Sequence, residues 1–228
     1  MLTRGSLELN KATAASDIED YVPSGSTGGI YFYEGSTIQM YDLGDNSSTL
    51  THDIFLNGAG TFKNTHYNTS LTLTGVISGS GSFKAIIDAS FSSPSLHLDG
   101  SVSNTYTGGS NISSESLGGN DDEFYVDADG CLGTGDVIVN DGVYVDFGGA
   151  TTNVIDDAAD LYLFDTAKVD LNSNNETIHH LYLDGVLQER GTYGSTGSAA
   201  ENQNDTYSYG TGILTVLGPV TGTLLRIE

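Results

Sequence analysis

Basic residues are scarce in this chain. Seven lysines and arginines stand against 30 acids, leaving a formal charge of −23 over 228 residues. That balance argues against nucleic acid as a partner, because a phosphate backbone is held by clustered Lys and Arg. A single cysteine excludes a disulfide framework. Tryptophan is absent and proline occurs 3 times. The strong helix formers Ala, Leu, Glu, Lys and Arg are too thin for long helices. No run approaches the roughly 18 apolar residues that cross a bilayer, so no membrane span is expected. The opening Met1–Asn10 also lacks the apolar core of a signal peptide.

What the chain has instead is turn chemistry. Gly, Ser, Thr, Asn and Asp number 30, 25, 25, 15 and 21, together 116 residues and about half the protein. High charge with such a composition is the usual signature of disorder. Against it stand 37% hydrophobic residues, with 13 Tyr and 8 Phe, that recur in ordered alternation. The composition is that of a folded β-type chain of one-domain size.

A short unit recurs: alternating apolar residues, then Asn, Asp or Thr, then Gly. It reads Ile54-Phe55-Leu56-Asn57-Gly58, Leu71-Thr72-Leu73-Thr74-Gly75 and Leu96-His97-Leu98-Asp99-Gly100. It returns as Val137-Ile138-Val139-Asn140-Asp141-Gly142 and Leu181-Tyr182-Leu183-Asp184-Gly185. The glycines are 17, 25, 42 and 43 residues apart, which points to a period near 21 with a less regular copy inside each long gap. Alternation along a strand buries Leu71 and Leu73 and leaves Thr72 and Thr74 wet. The Asn/Asp-Gly pair then turns the chain, since these residues tolerate positive φ. A parallel β-solenoid fits such coils. The alternative is a β-sandwich, in which Asn-Gly would close hairpins; only Gly142 is followed at once by a strong second strand, Val143 to Phe147. Residues 11–21 offer the one plausible short helix.

Particular segments carry a family resemblance. Thr74-Gly75-Val76-Ile77-Ser78-Gly79-Ser80-Gly81-Ser82-Phe83, then Leu96 to Gly100, then Asn104-Thr105-Tyr106-Thr107-Gly108-Gly109 resemble the autotransporter-associated β-strand repeat. Leu132 to Val139, followed by Gly142, is similar to its closing segment, and Leu181 to Val216 to the tail that often follows it. The resemblance implies a right-handed parallel β-helix in a secreted or surface-displayed protein, usually without catalysis. Its expected organisation is a single domain: N-terminal coils over 1–73, repeat coils over 74–217, and a tail or cap over 218–228. Residues 118–131 depart from the pattern, being longer and more acidic than the usual link.

The acids are unevenly placed. From Ala85 to Ala167 there are 15 Asp or Glu and no Lys or Arg, a charge density relieved by cations or salt. Its tightest cluster supplies Asp121, Asp122, Asp127 and Asp129 as calcium candidates, because calcium takes six to eight oxygen ligands. A solvated acidic loop is the preferred reading and a specific site the alternative; no cofactor other than calcium is expected. His179-His180 is the only adjacent histidine pair, and strand alternation would send its rings to opposite faces, unable to share a metal. Cys131 sits among acids that disfavour its thiolate. No catalytic residue is expected, and paired acids such as Asp156-Asp157 arise without function in so Asp-rich a chain. Tyr31, Tyr33, Tyr41, Tyr193, Tyr207 and Tyr209 are candidate contact residues.

The expected function is a non-catalytic extracellular or cell-surface structural protein that self-associates through solenoid ends or lateral faces into filaments or layers. The alternative is an adhesin gripping a glycan or surface ligand through Tyr and Asp loops. The third is a carbohydrate-active β-helix enzyme with two carboxylates.

Overall fold

The computed structural model describes residues 5–11, 29–33, 35–42, 47–64, 69–87, 94–115, 122–148 and 152–218. Many strands of three to five residues alternate between buried and half-buried positions, as in Gly60–Asn64 and Leu161–Leu163. Each is too short to bury a face alone, so each is laid parallel on the equivalent strand one coil away. The result is a parallel β-solenoid with three faces.

The coils run in order. β1 (Gly5–Lys11) is followed by β2 (Ile30–Phe32), β3 (Ser36–Asp42) and β4 (Ser48–Leu50), one strand for each face. β5 (Ile54–Leu56), β6 (Gly60–Asn64) and β7 (Ser70–Leu73) form the next coil. β8 (Ile77–Gly79), β9 (Phe83–Ile87) and β10 (Ser95–Leu98) form the one after. For three further coils the first face has no regular strand. The second and third faces continue as β11 (Ser110–Ser114) with β12 (Asp122–Val126), β13 (Val137–Val139) with β14 (Val143–Asp146), and β15 (Leu161–Leu163) with β16 (Lys168–Asp170). β17 (Asn175–Ile178) then restores the first face and β18 (Leu181–Leu183) extends the second. An excursion through β19 (Val186–Leu187), β20 (Gly191–Gly194) and β21 (Asn202–Gln203) precedes β22 (Ser208–Tyr209) and β23 (Ile213–Val216).

On the second face, Ser36, Gly60, Phe83, Ser110, Val137, Leu161 and Leu181 stack in one column. Their steps are 24, 23, 27, 27, 24 and 20 residues, so most coils are longer than the period near 21 that the glycines suggest. The recurring unit also marks something smaller than a coil. Its copies at 54, 71, 96, 137 and 181 lie on the first, third, third, second and second faces. The unit is a strand plus a corner, and a corner occurs three times per coil. Each long gap therefore holds several such units, β11 and β12 before β13, and β14 to β17 before β18.

The sandwich alternative falls because, among the described strands, only β18–β19 and β20–β23 pair antiparallel. Val143 to Phe147 does not fold back on Val137: β13 and β14 belong to different faces. The Asp-Gly at 184–185 does make a hairpin, with φ of 50° and 76° at its two residues, the positive pair a two-residue hairpin turn requires. β19 therefore occupies the edge of β18, and β20 the edge of β23. Lys11 ends a strand and opens no helix; the rest of 11–21 lies outside the described residues. Among the described residues no helix is long and apolar enough to cross a membrane. No break falls at 73/74, since β7 pairs with both β4 and β10.

The interior begins aromatic and becomes aliphatic. Phe32, Phe62 and Phe83 stack at centroid distances of 4.9 and 5.0 Å, and Phe83 also touches Tyr106 and Phe124. Beyond them Val137, Val139, Val145, Leu161, Leu163 and Val169 fill the coils. At the corner before the second face the backbones approach so closely that a Cβ on Gly81 would lie 2.0 Å from Gly58 O.

Candidate functional site

The segment 104–109 has a clear physical role. Asn104 accepts a hydrogen bond from Ile77 N (2.7 Å) on one neighbouring coil and donates to Cys131 O (2.8 Å) on the other. Tyr106 fills the interior beside it, its hydroxyl 2.6 Å from Ser110 Oγ. Gly108 rests directly on Gly81. Each residue of the block bonds or packs one coil to the next.

The three described calcium candidates are not gathered into one sphere. Asp121 lies outside the described residues. Asp122 points inward at the start of β12, whereas Asp127 and Asp129 follow its other end, about 16 Å along an extended strand. Asp127 Oδ2 lies 3.0 Å from His97 Nδ1. Asp129 Oδ1 accepts from Thr152 N and Asn153 N at 2.7 and 3.1 Å. The alternation of β12 separates them: it turns Asp122 into the coil and leaves the others at a corner. Asp156 is used locally as well, accepting from Ala158 N at 2.9 Å. Cys131 is fully buried; burial raises its thiol pKa, and Asp99 and Asp127 add to the shift.

The third face carries an aromatic and acidic strip on its outer side. His97 stacks on Tyr125 at 4.3 Å and 5°. Tyr125 donates to Glu123, Tyr144 donates to Asp170 at 2.5 Å, and Asn172 donates to Asp146 at 2.6 Å. Tyr209, 61% exposed, lies 6.4 Å from Tyr144. Burial and the adjacent acids raise the pKa of Tyr125 and Tyr144, and burial raises that of Asp146. Of the other tyrosines, Tyr31 is exposed and stacks on Phe55, while Tyr193 and Tyr207 are held by Glu189 O and Asp184.

The histidine pair corrects the expectation drawn from alternation. β17 ends at Ile178, so His179 and His180 form the corner leading to β18, where strand alternation does not apply. Their rings lie together, centroids 3.7 Å apart, and both face one carboxylate. His180 Nδ1 is 2.9 Å and His179 Nδ1 3.2 Å from Asp160 Oδ1. The backbone is fixed on both sides: His179 N donates to Ala159 O, Leu161 N to His180 O, and Gly218 N to His179 O. Asp160 N in turn donates to Asp136 Oδ1 at 3.0 Å. Asp136 lines a groove of about 550 Å³ running over Gly108, Gly109 and Gly135. The signal for this cluster was available as a column: Asp136, Asp160 and His180 each immediately precede a strand of the second face.

Glu176 is the other group that sequence reasoning missed. It is buried, and its two oxygens accept from Val154 N (2.7 Å) and Thr177 N (3.1 Å). Burial raises its pKa to about 7. No protein-family model, no curated protein and no solved structure matches the chain.

Proposed function

We propose that the chain is a non-catalytic structural module of extracellular or cell-surface type, its solenoid serving as a stiff scaffold that associates laterally. One observation carries this reading: its corner carboxylates are spent on the stack. Asp53, Asp129, Asp136, Asp141 and Asp184 each accept a backbone amide of a neighbouring coil, from Val76, Thr152, Asp160, Thr166 and Asp165. Acids so bound are mortar between coils. The resemblance of 96–109 to the autotransporter-associated repeat supports the extracytoplasmic setting. Lateral contact is favoured over growth at the C-terminal edges of two sheets, because antiparallel β19 and β20 occupy the edges of β18 and β23, so a further parallel coil cannot pair directly with either strand.

Like charge opposes association of so acidic a chain, and salt screens it within about 8 Å at physiological ionic strength. Light scattering on a sizing column should therefore show reversible oligomers that grow with salt. A strict monomer at every salt concentration overturns the association. Release of reducing ends from neutral polysaccharides overturns the non-catalytic reading.

The strip on the third face favours a second reading, an adhesive surface for a glycan. Flat aromatic rings beside carboxylate acceptors suit the apolar faces and hydroxyls of a sugar. A glycan array without hits counts against it.

A further inference from the structure

We propose that Asp160, His179 and His180 form a binding site for a divalent d-block cation, with zinc the type ion. Their ligand atoms all lie within 4.8 Å of one another. The two Nδ1–Oδ1 distances, 2.9 and 3.2 Å, are close to the edge of about 3.4 Å of a tetrahedron with arms of about 2.1 Å. A small outward shift of each side chain admits the ion. Two imidazoles and one carboxylate leave one tetrahedral position for water or an added ligand, the arrangement of open zinc sites.

The site is preorganised. Hydrogen bonds to Ala159, Leu161 and Gly218 fix the backbone of both histidines, so ion binding orders little further chain. Gly218 covers the other edge of the rings: a Cβ there would lie 2.9 Å from His180 Nε2 and 3.6 Å from His179 Nε2. Both Nδ1 atoms face Asp160 Oδ1, so Nδ1 is the coordinating atom. Asp160 itself is oriented through its backbone by Asp136. The chemistry selects the ion. Nitrogen donors suit zinc, nickel and copper, whereas calcium and magnesium demand six or more oxygens. The site also joins two coils, that of β15 through Asp160 and that of β17–β18 through the histidines, so the ion acts as a clip across the stack.

The test is calorimetric titration of the full, chelator-stripped chain with zinc chloride. One zinc per chain is expected, at an affinity that millimolar calcium leaves unchanged. His179→Ala, His180→Ala and Asp160→Asn should each weaken binding by at least about tenfold, with circular dichroism confirming that each variant folds. Cobalt added to the parent chain gives a reading free of mutation: intense visible bands mark a tetrahedral site. Absence of zinc binding overturns the proposal. So do undiminished affinity in the histidine variants, loss in only one of the three, or a cobalt spectrum of the hexahydrated ion.

Discussion

Replacing Asn104 tests whether single buried amides hold this stack together. The side chain is 5% exposed and bridges two coils through bonds of 2.7 and 2.8 Å. Asn104→Ala removes a donor and an acceptor at once, stranding Ile77 N–H and Cys131 C=O away from water. Each stranded group costs about 1–3 kcal/mol, so the loss is about 4 kcal/mol in all. For a chain of this size that lowers Tm by roughly 10 °C. Coil stacks do not always unfold in one step, so urea midpoints should be read by circular dichroism and by fluorescence. The chain has no Trp, so the fluorescence is that of its 13 tyrosines, spread over many coils.

Asn104→Asp sharpens the test. One carboxylate oxygen still accepts from Ile77 N, but the other meets Cys131 O, acceptor against acceptor. Folding then favours the protonated acid, raising its folded-state pKa above the unfolded value of about 3.9. The penalty is absent below that pH and grows as pH rises through the folded pKa. The variant should approach the parent at acid pH, while Asn104→Ala stays displaced throughout. A cost for Asn104→Ala below about 0.5 kcal/mol, the range of surface substitutions, refutes the reasoning. So do two variants that track each other across pH.

Three further predictions concern a buried strand acid and two corner glycines. Glu176 has its pKa raised to about 7 from an ordinary 4.5, so the folded chain holds an extra proton between those values and loses stability as pH rises through them. Glu176→Gln removes this slope, and its urea midpoint should gain on the parent's by the equivalent of about 3 kcal/mol between pH 4.5 and 8. Gly81→Ala drives a Cβ into Gly58 O and should cost about 3 kcal/mol or more. Gly185→Ala, with open space but φ of 76°, should cost about 1 kcal/mol.

The strands were legible because period two is written into each: Leu71 and Leu73 are buried and Thr72 is not. The corners were not, because one dipeptide serves two geometries. Asp141-Gly142 needs positive φ only at Gly142 and carries the chain to a new face, whereas Asp184-Gly185 needs it at both residues and reverses the chain. Nothing local to either pair decides which; the choice is made by what lies on the neighbouring coil. The histidine site was hidden by the same limit. Alternation holds only as far as Ile178, where β17 ends, and the corner beyond it brings together two rings that alternation would separate.

The architecture also explains why Asp outnumbers Glu, 21 to 9. At a corner, amides point along the solenoid axis without a facing carbonyl, and a short carboxylate one coil away reaches them with few rotamers to fix. Where an acceptor alone is needed on the outside, Asp serves, as at Asp53, Asp141 and Asp184. Where a buried corner needs a donor as well, the residue is Asn, as at Asn64, Asn104 and Asn174. The negative charge follows from this division of labour, and its field concentrates cations along the whole molecule. Among the described residues, the corner at Asp160 is the one where histidine nitrogens enter a three-membered cluster of metal-ligating groups. A general attraction for cations there becomes a preference for those that bind nitrogen.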